Sequence, residues 1–166
     1  INFMKLFLLP LHFAPNNIKA AKIHSKKNKL KINYIYKDIE KSNLDKKFDI
    51  ILMFEVLEHL DNWKKTIRNI KKNLNKNGII IISTINRNFL SKLFAINIAE
   101  NILNWIPKGT HDYNKLIKPE ELKITLSKEN LHLKNVKGLV FDPLNREWKI
   151  SKNYMINYFC TASLIN

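Results

Sequence analysis

Two apolar runs mark the parts of the chain that the hydrophobic pattern assigns to the interior of a sheet. Residues Phe48–Phe54 are apolar apart from Asp49, and Ile79–Ile85 is apolar almost throughout, as expected of strands buried on both faces. Between these runs apolar residues recur at helical spacing, and Asp61 and Gly78 suit the start and the end of a helix. This order predicts an α/β fold whose sheet contains parallel strands.

The rest of the chain continues the alternation. We predict further helices over residues 15–28, over residues 89–106 and from Pro119 onward. We predict further strands over the segments Asn2–Leu11, Lys31–Tyr36, Leu131–Phe141 and Tyr154–Leu164. The last two follow one another without a helix, which predicts an antiparallel pair at the edge of the sheet. No repeat or linker divides residues 1–166, so a single domain is expected.

Positive charge dominates the composition, with a formal net charge of +15. Lysine supplies nearly all of it, because arginine occurs only at Arg68, Arg87 and Arg146, and the lysines are spread among asparagines and isoleucines along the whole chain. A protein that reads nucleic acid concentrates its cations or aromatic residues on one face, so we expect no nucleic-acid partner. An anionic lipid surface, which attracts lysines, is the better match.

Acidic and imidazole side chains follow the first buried run directly. Glu55, Glu58 and His59 would share one face of a helix, since they stand at i, i+3 and i+4. Ligands of open α/β sheets bind beyond the carboxyl ends of the strands, so chemistry is expected here. Two carboxylates and an imidazole can hold a divalent cation, with Mg²⁺ or Mn²⁺ favoured by oxygen ligands and Zn²⁺ also accepted by histidine. The alternative is a solvated acidic loop in which His59 caps a backbone group.

Several stretches of the sequence together resemble one known family. They are Phe48–Ile51, Glu55–His59, Asn77–Arg87, Trp105–Asp112, Ile117–Leu122 and Gly138–Pro143. From about Asn17 to Tyr158 the chain resembles the ubiquinone-biosynthesis O-methyltransferases, which are class I methyltransferases dependent on S-adenosylmethionine. The resemblance implies a Rossmann-like α/β sheet with helices on both faces and an antiparallel edge.

The resemblance also implies a reaction and residues that serve it. A methyl group would pass from S-adenosylmethionine to a catechol-type hydroxyl of a polyprenyl quinone precursor, with a divalent metal, Mg²⁺ before others, held by the three candidate ligands that follow the first buried run. By position, Asp38 would contact the adenine of the cofactor, and Phe54 would lie at the cofactor-facing end of its strand. His111 is a candidate general base or ring contact, and a structural hydrogen bond to Asp112 is the alternative.

Residues 87–118 are expected to form a helical insertion that serves the lipid substrate or contacts a membrane. The polar side chains of the predicted helix 89–106 fall on one narrow stripe, formed by Asn97, Glu100, Asn101 and Asn104. That pattern favours a helix lying in a membrane interface, with a core helix packed on the sheet as the alternative. A membrane-dissolved substrate implies peripheral attachment to the cytoplasmic face of a bacterial inner membrane or to the matrix side in a mitochondrion, and protein partners of a quinone-biosynthesis assembly. Cys160, the only cysteine, fits a reducing compartment.

The sequence departs from the family at the cofactor site. Class I methyltransferases hold the cofactor with a glycine-rich turn after their first strand, whereas the three glycines here, Gly78, Gly109 and Gly138, form no such turn. We therefore expect an amino-terminally incomplete domain in which the first strand is missing or replaced by Asn2–Leu11. Such a chain should bind S-adenosylmethionine weakly or not at all. It could then be an inactive fragment of an enzyme or a degenerate module that binds membrane or a partner protein.

Overall fold

Strands and helices alternate through the part of the chain that can be described. The computed structural model describes residues 7–8, 14–32, 34–36, 38–41, 45–93, 112–142 and 144–165. Its strands are β1 (Phe7–Leu8), β2 (Ile35–Tyr36), β3 (Phe48–Phe54), β4 (Leu74–Ile85), β5 (Leu131–Asp142), β6 (Glu147–Ser151) and β7 (Asn157–Leu164). Its helices are α1 (Ala14–Lys27), α2 (Trp63–Lys71), α3 (Phe89–Ser91) and α4 (Pro119–Lys128), with three-ten turns at Leu57–His59 and Tyr113–Lys115.

The main sheet has five strands in the order β3-β4-β7-β5-β6. Strands β3 and β4 are parallel, and β7 runs antiparallel to both β4 and β5. The predicted antiparallel pair of terminal strands is confirmed, but β7 lies inside the sheet because it pairs on both sides. The edge is formed by β6, a strand that the hydrophobic pattern did not predict because Glu147 and Lys149 interrupt its apolar residues.

The place beside β3 has no partner strand among the described residues. β3 ends the order of the five-stranded sheet, and β1 pairs in parallel with β2 in a separate two-stranded sheet. Of the predicted strand Asn2–Leu11, the described part, Phe7–Leu8, therefore does not fill the position beside β3. An edge strand leaves a row of backbone donors and acceptors without ladder partners. The missing first strand that the sequence implies stays a prediction.

The core forms where the sheet meets α2 and α4. Fully buried aliphatic side chains come from both layers and include Ile67, Ile80, Ile82, Leu122 and Leu126. Helix α2 begins one residue later than predicted, because the side chain of Asn62, not Asp61, accepts the Lys65 backbone N–H at 3.0 Å. Helix α4 begins at Pro119 as predicted, with Glu120 and Glu121 in its first turn.

The predicted end of the second helix, at Gly78, was wrong. Helix α2 stops at Lys71 and β4 has already begun at Leu74, so Gly78 lies inside a strand and does not adopt a left-handed helix exit. A Cβ at this position would stand 3.0 Å from the carbonyl oxygens of both Phe48 and Asp49. Glycine is therefore needed for close approach of the β4 backbone to β3, where the pairing register shifts.

The carboxyl end of β4 is tied to the segment that precedes α4. The Ile117 N–H donates to the Ile85 carbonyl at 3.4 Å, and the Tyr158 hydroxyl on β7 donates to the Ile117 carbonyl at 3.1 Å. Tyr158 is fully buried, and burial raises the pKa of its phenol well above the usual value. The hydroxyl therefore remains a hydrogen-bond donor and holds residues 112–118 against the sheet.

The predicted insertion is described only at its two ends. Helix α3 starts at Phe89 behind an Asn88 cap, which agrees with the predicted start of the helix. Residues 94–111 lie outside the described part of the chain, as do most of the predicted helix and His111. Within the described residues, no helix is both long enough and apolar enough to cross a membrane.

Candidate active site

Glu55 occupies a strained position at the point where β3 ends. Its φ is +49°, in the left-handed region that non-glycine residues rarely adopt. Two contacts to β4 hold it there, because its N–H reaches the Ser83 carbonyl and the Ser83 hydroxyl, each at 3.1 Å. The same hydroxyl donates to Glu55 Oε1 at 2.7 Å. Backbone strain of this kind persists only where its surroundings enforce it, and it concentrates at functional sites.

Glu58 is a carboxyl group buried beside Glu55. Its side chain is 3% exposed, and the Thr84 hydroxyl donates to Oε2 at 2.8 Å. The other oxygen, Oε1, has no hydrogen-bond partner among the described residues. Burial, followed by the negative charge of Glu55, raises the pKa of Glu58 to about 8. Once protonated, the Glu58 carboxyl can donate a hydrogen bond to Glu55, which also raises its pKa. The buried oxygen without a donor therefore marks a position where a proton or a ligand is expected.

The structure brings together two of the three predicted metal ligands. The segment after β3 is a three-ten turn over Leu57–His59 preceded by the left-handed Glu55, so the predicted helical face at i, i+3 and i+4 does not form. Among the residues that the structure describes, no three His, Cys, Asp or Glu side chains lie close enough to hold a metal. His59 therefore does not complete the set in this conformation, and its part in a metal site stays a prediction.

The pair Glu55 and Glu58 by itself suits one class of cation. Mg²⁺ and Mn²⁺ prefer oxygen ligands, and Mg²⁺ is commonly bound through one or two carboxylates with water completing its shell. The partnerless Glu58 Oε1 provides one donor and the more exposed Glu55 carboxylate provides others. The donor set therefore fits a hydrated Mg²⁺ better than Zn²⁺, which needs four tightly fixed ligands.

Phe54 and Asp38, the predicted cofactor contacts, lie on elements next to this pair. The half-exposed Phe54 ring packs edge-on against Phe159 at 5.7 Å, across the small side chain of Ser83. Asp38 is exposed, and its Oδ1 accepts the N–H of Glu40 at 3.0 Å. The Glu40 carboxylate in turn accepts the backbone N–H groups that start α2, so the turn carrying Asp38 is fixed beside the segment following His59. These positions are compatible with the predicted contacts, which stay predictions.

Sequence reasoning missed the two hydroxyl residues that hold the carboxylates. Ser83 and Thr84 are the polar members of the otherwise apolar run Ile79–Ile85, and they stand near its carboxyl end. Their position was a usable signal, because the carboxyl ends of parallel strands meet at one edge of a sheet. Their pairing with specific carboxylates depends on the register of Phe54 with Ser83.

A polar cavity opens directly beyond the end of β4. Its volume is about 560 Å³, and it is lined by Asn86, Arg87, Asn88, Tyr113, Asn114, Lys118 and Glu120. The Arg87 guanidinium donates to the Glu121 carboxylate and to the Asn114 carbonyl, which fixes the wall on the α4 side. The cavity lies between the two described ends of the predicted insertion, and neither Glu55 nor Glu58 is among its lining residues.

Comparison with solved structures defines the class of fold. An S-adenosylmethionine-dependent methyltransferase from Clostridium acetobutylicum matches 99% of this chain and 76% of its own, with a TM-score of 0.67 at 12% identity. An S-adenosylmethionine-dependent methyltransferase from Thermotoga maritima, described as a possible histamine N-methyltransferase, matches 89% of this chain and 70% of its own, with a TM-score of 0.63 at 18% identity. The fold is that of the class I S-adenosylmethionine-dependent methyltransferases, as the sequence implied.

The sequence comparisons then give the family. Residues 12–134 match a family described as a methyltransferase domain, and the chain belongs to this family. Ubiquinone biosynthesis O-methyltransferases are similar over 87% of the chain at 46% identity in Rickettsia typhi and over 86% at 45% identity in Pelagibacter ubique. The resemblance drawn from the sequence is thereby confirmed. The chain spans 58% and 59% of the lengths of these two relatives.

Proposed function

We propose that this chain serves O-methyl transfer from S-adenosylmethionine to a catechol-type hydroxyl of a polyprenyl quinone precursor. The observation that carries the proposal is the Glu55–Glu58 pair with its partnerless oxygen, set at the carboxyl ends of two parallel strands in a methyltransferase fold. The similarity to ubiquinone biosynthesis O-methyltransferases supports the choice of acceptor.

The carboxylate pair gives the acceptor oxygen a place to lose its proton. A phenol has a pKa near 10, and an ordinary carboxylate is too weak a base for it. The pKa of Glu58 is raised to about 8, which brings it closer to the pKa of a phenol than that of an ordinary carboxylate. In molecules whose Glu58 is ionised, the catechol O–H proton would pass to the Glu58 carboxylate, and the phenolate oxygen would attack the sulfonium methyl group. The C–S bond breaks as the O–C bond forms, and its electron pair stays on sulfur as a thioether.

When a divalent cation is bound, the pair would serve as its ligands and no longer as the proton acceptor. We propose Mg²⁺ bound by Glu55 and Glu58, with His59 as a further ligand only if the turn rearranges, and His111 as the general base in that state. The cation would supply positive charge that lowers the pKa of a bound catechol hydroxyl. Ser83 and Thr84 keep both carboxyl groups oriented whether or not a cation is present.

Cation binding can be measured without turnover. Titration of the protein with Mn²⁺, followed by the electron paramagnetic resonance signal of the free ion, should show a site that Glu58→Gln weakens by about tenfold or more, since a buried carboxylate ligand is lost. The matched variant Glu129→Gln alters a largely buried carboxylate that pairs with Arg68 in another part of the molecule, so it should retain the affinity. Equal affinity in all three proteins would exclude the pair as the cation site.

The proposed reaction is tested with the chain as given and with the gene product extended by any coding sequence upstream of Ile1. Calorimetric titration of residues 1–166 with S-adenosylmethionine should show weak or undetectable binding, because no glycine-rich turn is present and the edge of β3 is open. Micromolar binding by this chain would contradict that expectation.

The extended protein should transfer a labelled methyl group to a short-chain prenyl catechol and not to the same ring with both hydroxyls methylated. His111→Gln in that protein tests the predicted general base. Methyl transfer to an amine in preference to the catechol would overturn the proposed acceptor.

The proposed acceptor also suggests where the protein acts and which proteins it would meet. A polyprenyl substrate dissolves in the bilayer, so we propose peripheral attachment through the insertion over residues 87–118, at the cytoplasmic face of a bacterial inner membrane or the matrix side in a mitochondrion. Proteins that make or use the quinone precursor are the proposed partners. No feature of the described surface favours nucleic acid, since the cations are lysines scattered over many elements.

A further inference from the structure

The hairpin of β5 and β6 presents an apolar face that no described residue covers. Phe141 pairs with Trp148 and Leu139 pairs with Ile150, so these four side chains lie on the same side of the hairpin and form what we call the hairpin face. Trp148 is 63% exposed and Ile150 is 78% exposed. Leu144, at the turn that joins the strands, is 94% exposed. Large apolar side chains clustered in this way mark an interaction surface.

The hairpin is held firmly in its exposed position. The Phe141 and Trp148 rings pack at 5.2 Å between centroids, and Lys149 pairs with Asp142 at 2.6 Å across the same two strands. The backbone of residues 153–154 lies directly against Gly138. The exposed face is therefore a formed surface of the folded protein and not a loosely attached loop.

Cations border the hairpin face. Arg146 lies in the turn two residues after Leu144, and Lys152 follows β6; both are exposed, and the exposed Glu147 stands between Arg146 and Trp148. An indole between aliphatic side chains, with basic residues at the border, is the composition of proteins that enter the headgroup region of an anionic bilayer. The formal net charge of +15 makes approach to such a surface favourable.

The hairpin face also adjoins the start of the predicted interfacial helix. The Asn86 side chain donates to the Tyr154 carbonyl, and the Asn88 side chain donates to the Met155 carbonyl. These bonds fix the segment after β6, with its exposed Tyr154 and Met155, beside α3, where Phe89 is also exposed. Exposed apolar side chains of the segment after β6 thus lie near the exposed Phe89.

We infer that the hairpin face is a membrane-docking surface that inserts Trp148 and Ile150, together with Leu144 at the adjoining turn, into the headgroup region of an anionic phospholipid bilayer. A second copy of the chain paired along the free edge of β6 is the competing occupant. Lys149 in the middle of this five-residue strand is a common device against such edge pairing. The biological purpose of this docking rests on the proposed function, in which the acceptor dissolves in the membrane. The test of the docking uses neither acceptor nor cofactor, so the inference and the proposed function can fail separately.

The first experiment reads the depth of Trp148. The variant Trp63→Phe/Trp105→Phe leaves Trp148 as the single indole, and Trp105→Phe/Trp148→Phe leaves Trp63, which is partly buried against the core. With vesicles of phosphatidylglycerol and phosphatidylcholine carrying brominated acyl chains, Trp148 emission should shift to shorter wavelength and be quenched, and Trp63 emission should not. Vesicle-bound protein whose Trp148 emission is unchanged would overturn the inference.

The second experiment compares matched surface substitutions by vesicle cosedimentation. Trp148→Ser/Ile150→Ser should lower the affinity for the anionic vesicles by about tenfold or more, since two inserted apolar side chains are removed. Ile124→Ser on α4 removes an exposed isoleucine elsewhere and should leave the affinity unchanged. Wild-type affinity of the double variant would overturn the inference, as would a dimer in sedimentation velocity that the double variant abolishes without any loss of vesicle binding.

Discussion

Replacing Glu58 with glutamine is expected to make the protein more stable than the wild type at pH 8. The folded-state pKa of Glu58 is about 8, raised from an ordinary value of 4.5 by burial and by Glu55. Between these values the unfolded chain releases the proton that the folded chain keeps, so the stabilising contribution present below about pH 4.5 is lost as the pH rises to about 8. At about 1.4 kcal/mol per pKa unit, the loss is a few kcal/mol. Glutamine does not titrate, so Glu58→Gln avoids this loss of stability.

Urea unfolding across this pH range, with a chelator present, measures the effect. The free energy of unfolding of the wild type should fall as the pH rises, and that of Glu58→Gln should fall less over the same interval. Glu129→Gln, which alters a carboxylate paired with Arg68, serves as the control and should keep the wild-type slope. Parallel curves for Glu58→Gln and the wild type would show that the Glu58 carboxyl ionises freely in the folded protein.

Gly138→Ala should destabilise the hairpin severely. An alanine Cβ at this position would lie 1.8 Å from the carbonyl oxygen of Asn153 and 2.9 Å from the Cα of Tyr154. These are backbone atoms, so no side-chain rotation relieves the overlap, and β5 and the 153–154 segment must separate. We expect a loss of about 3 kcal/mol or more in the free energy of unfolding, at the upper end of single substitutions.

Gly78→Ala is the comparison variant and should be destabilised less than Gly138→Ala. Its Cβ would lie 2.8 Å from Leu74 Cδ1 and 3.0 Å from two backbone carbonyl oxygens. The shortest contact is with the end of a side chain, so the overlap is milder than the backbone overlap at Gly138. Thermal unfolding followed by circular dichroism should therefore place the stability in the order wild type, Gly78→Ala, Gly138→Ala. If Gly138→Ala is as stable as the wild type, the segment after β6 does not lie against β5 in solution.

The hydrophobic pattern predicted those helices and strands that are determined by residues adjacent in sequence. Strand β3 was predicted with its observed bounds, Phe48–Phe54, from its continuous apolar run. The predicted burial on both faces was wrong, because β3 ends the described sheet and leaves Leu52 and Phe54 exposed on one face. The start of α4 followed from Pro119, which fits the first turn of a helix and little else. The predicted helix end at Gly78 was wrong, because glycine is needed there for close contact with a neighbouring strand. That contact cannot be seen in the sequence. The hydrophobic pattern also missed β6, because an exposed edge strand needs no apolar periodicity.

The apolar pattern by itself determined an α/β fold with acidic residues placed after its first apolar run, and the resemblance to a known family implied a methyltransferase domain. The pattern sufficed for the fold because apolar periodicity and the order of residues along the chain depend only on neighbours in sequence. The tertiary structure alone decided that Glu55 and Glu58 meet while His59 does not join them, that Ser83 and Thr84 hold the two carboxylates, and that Glu58 is buried enough to keep its proton near neutral pH. These facts depend on strand register, on a left-handed backbone and on desolvation, which arise only when distant segments pack together.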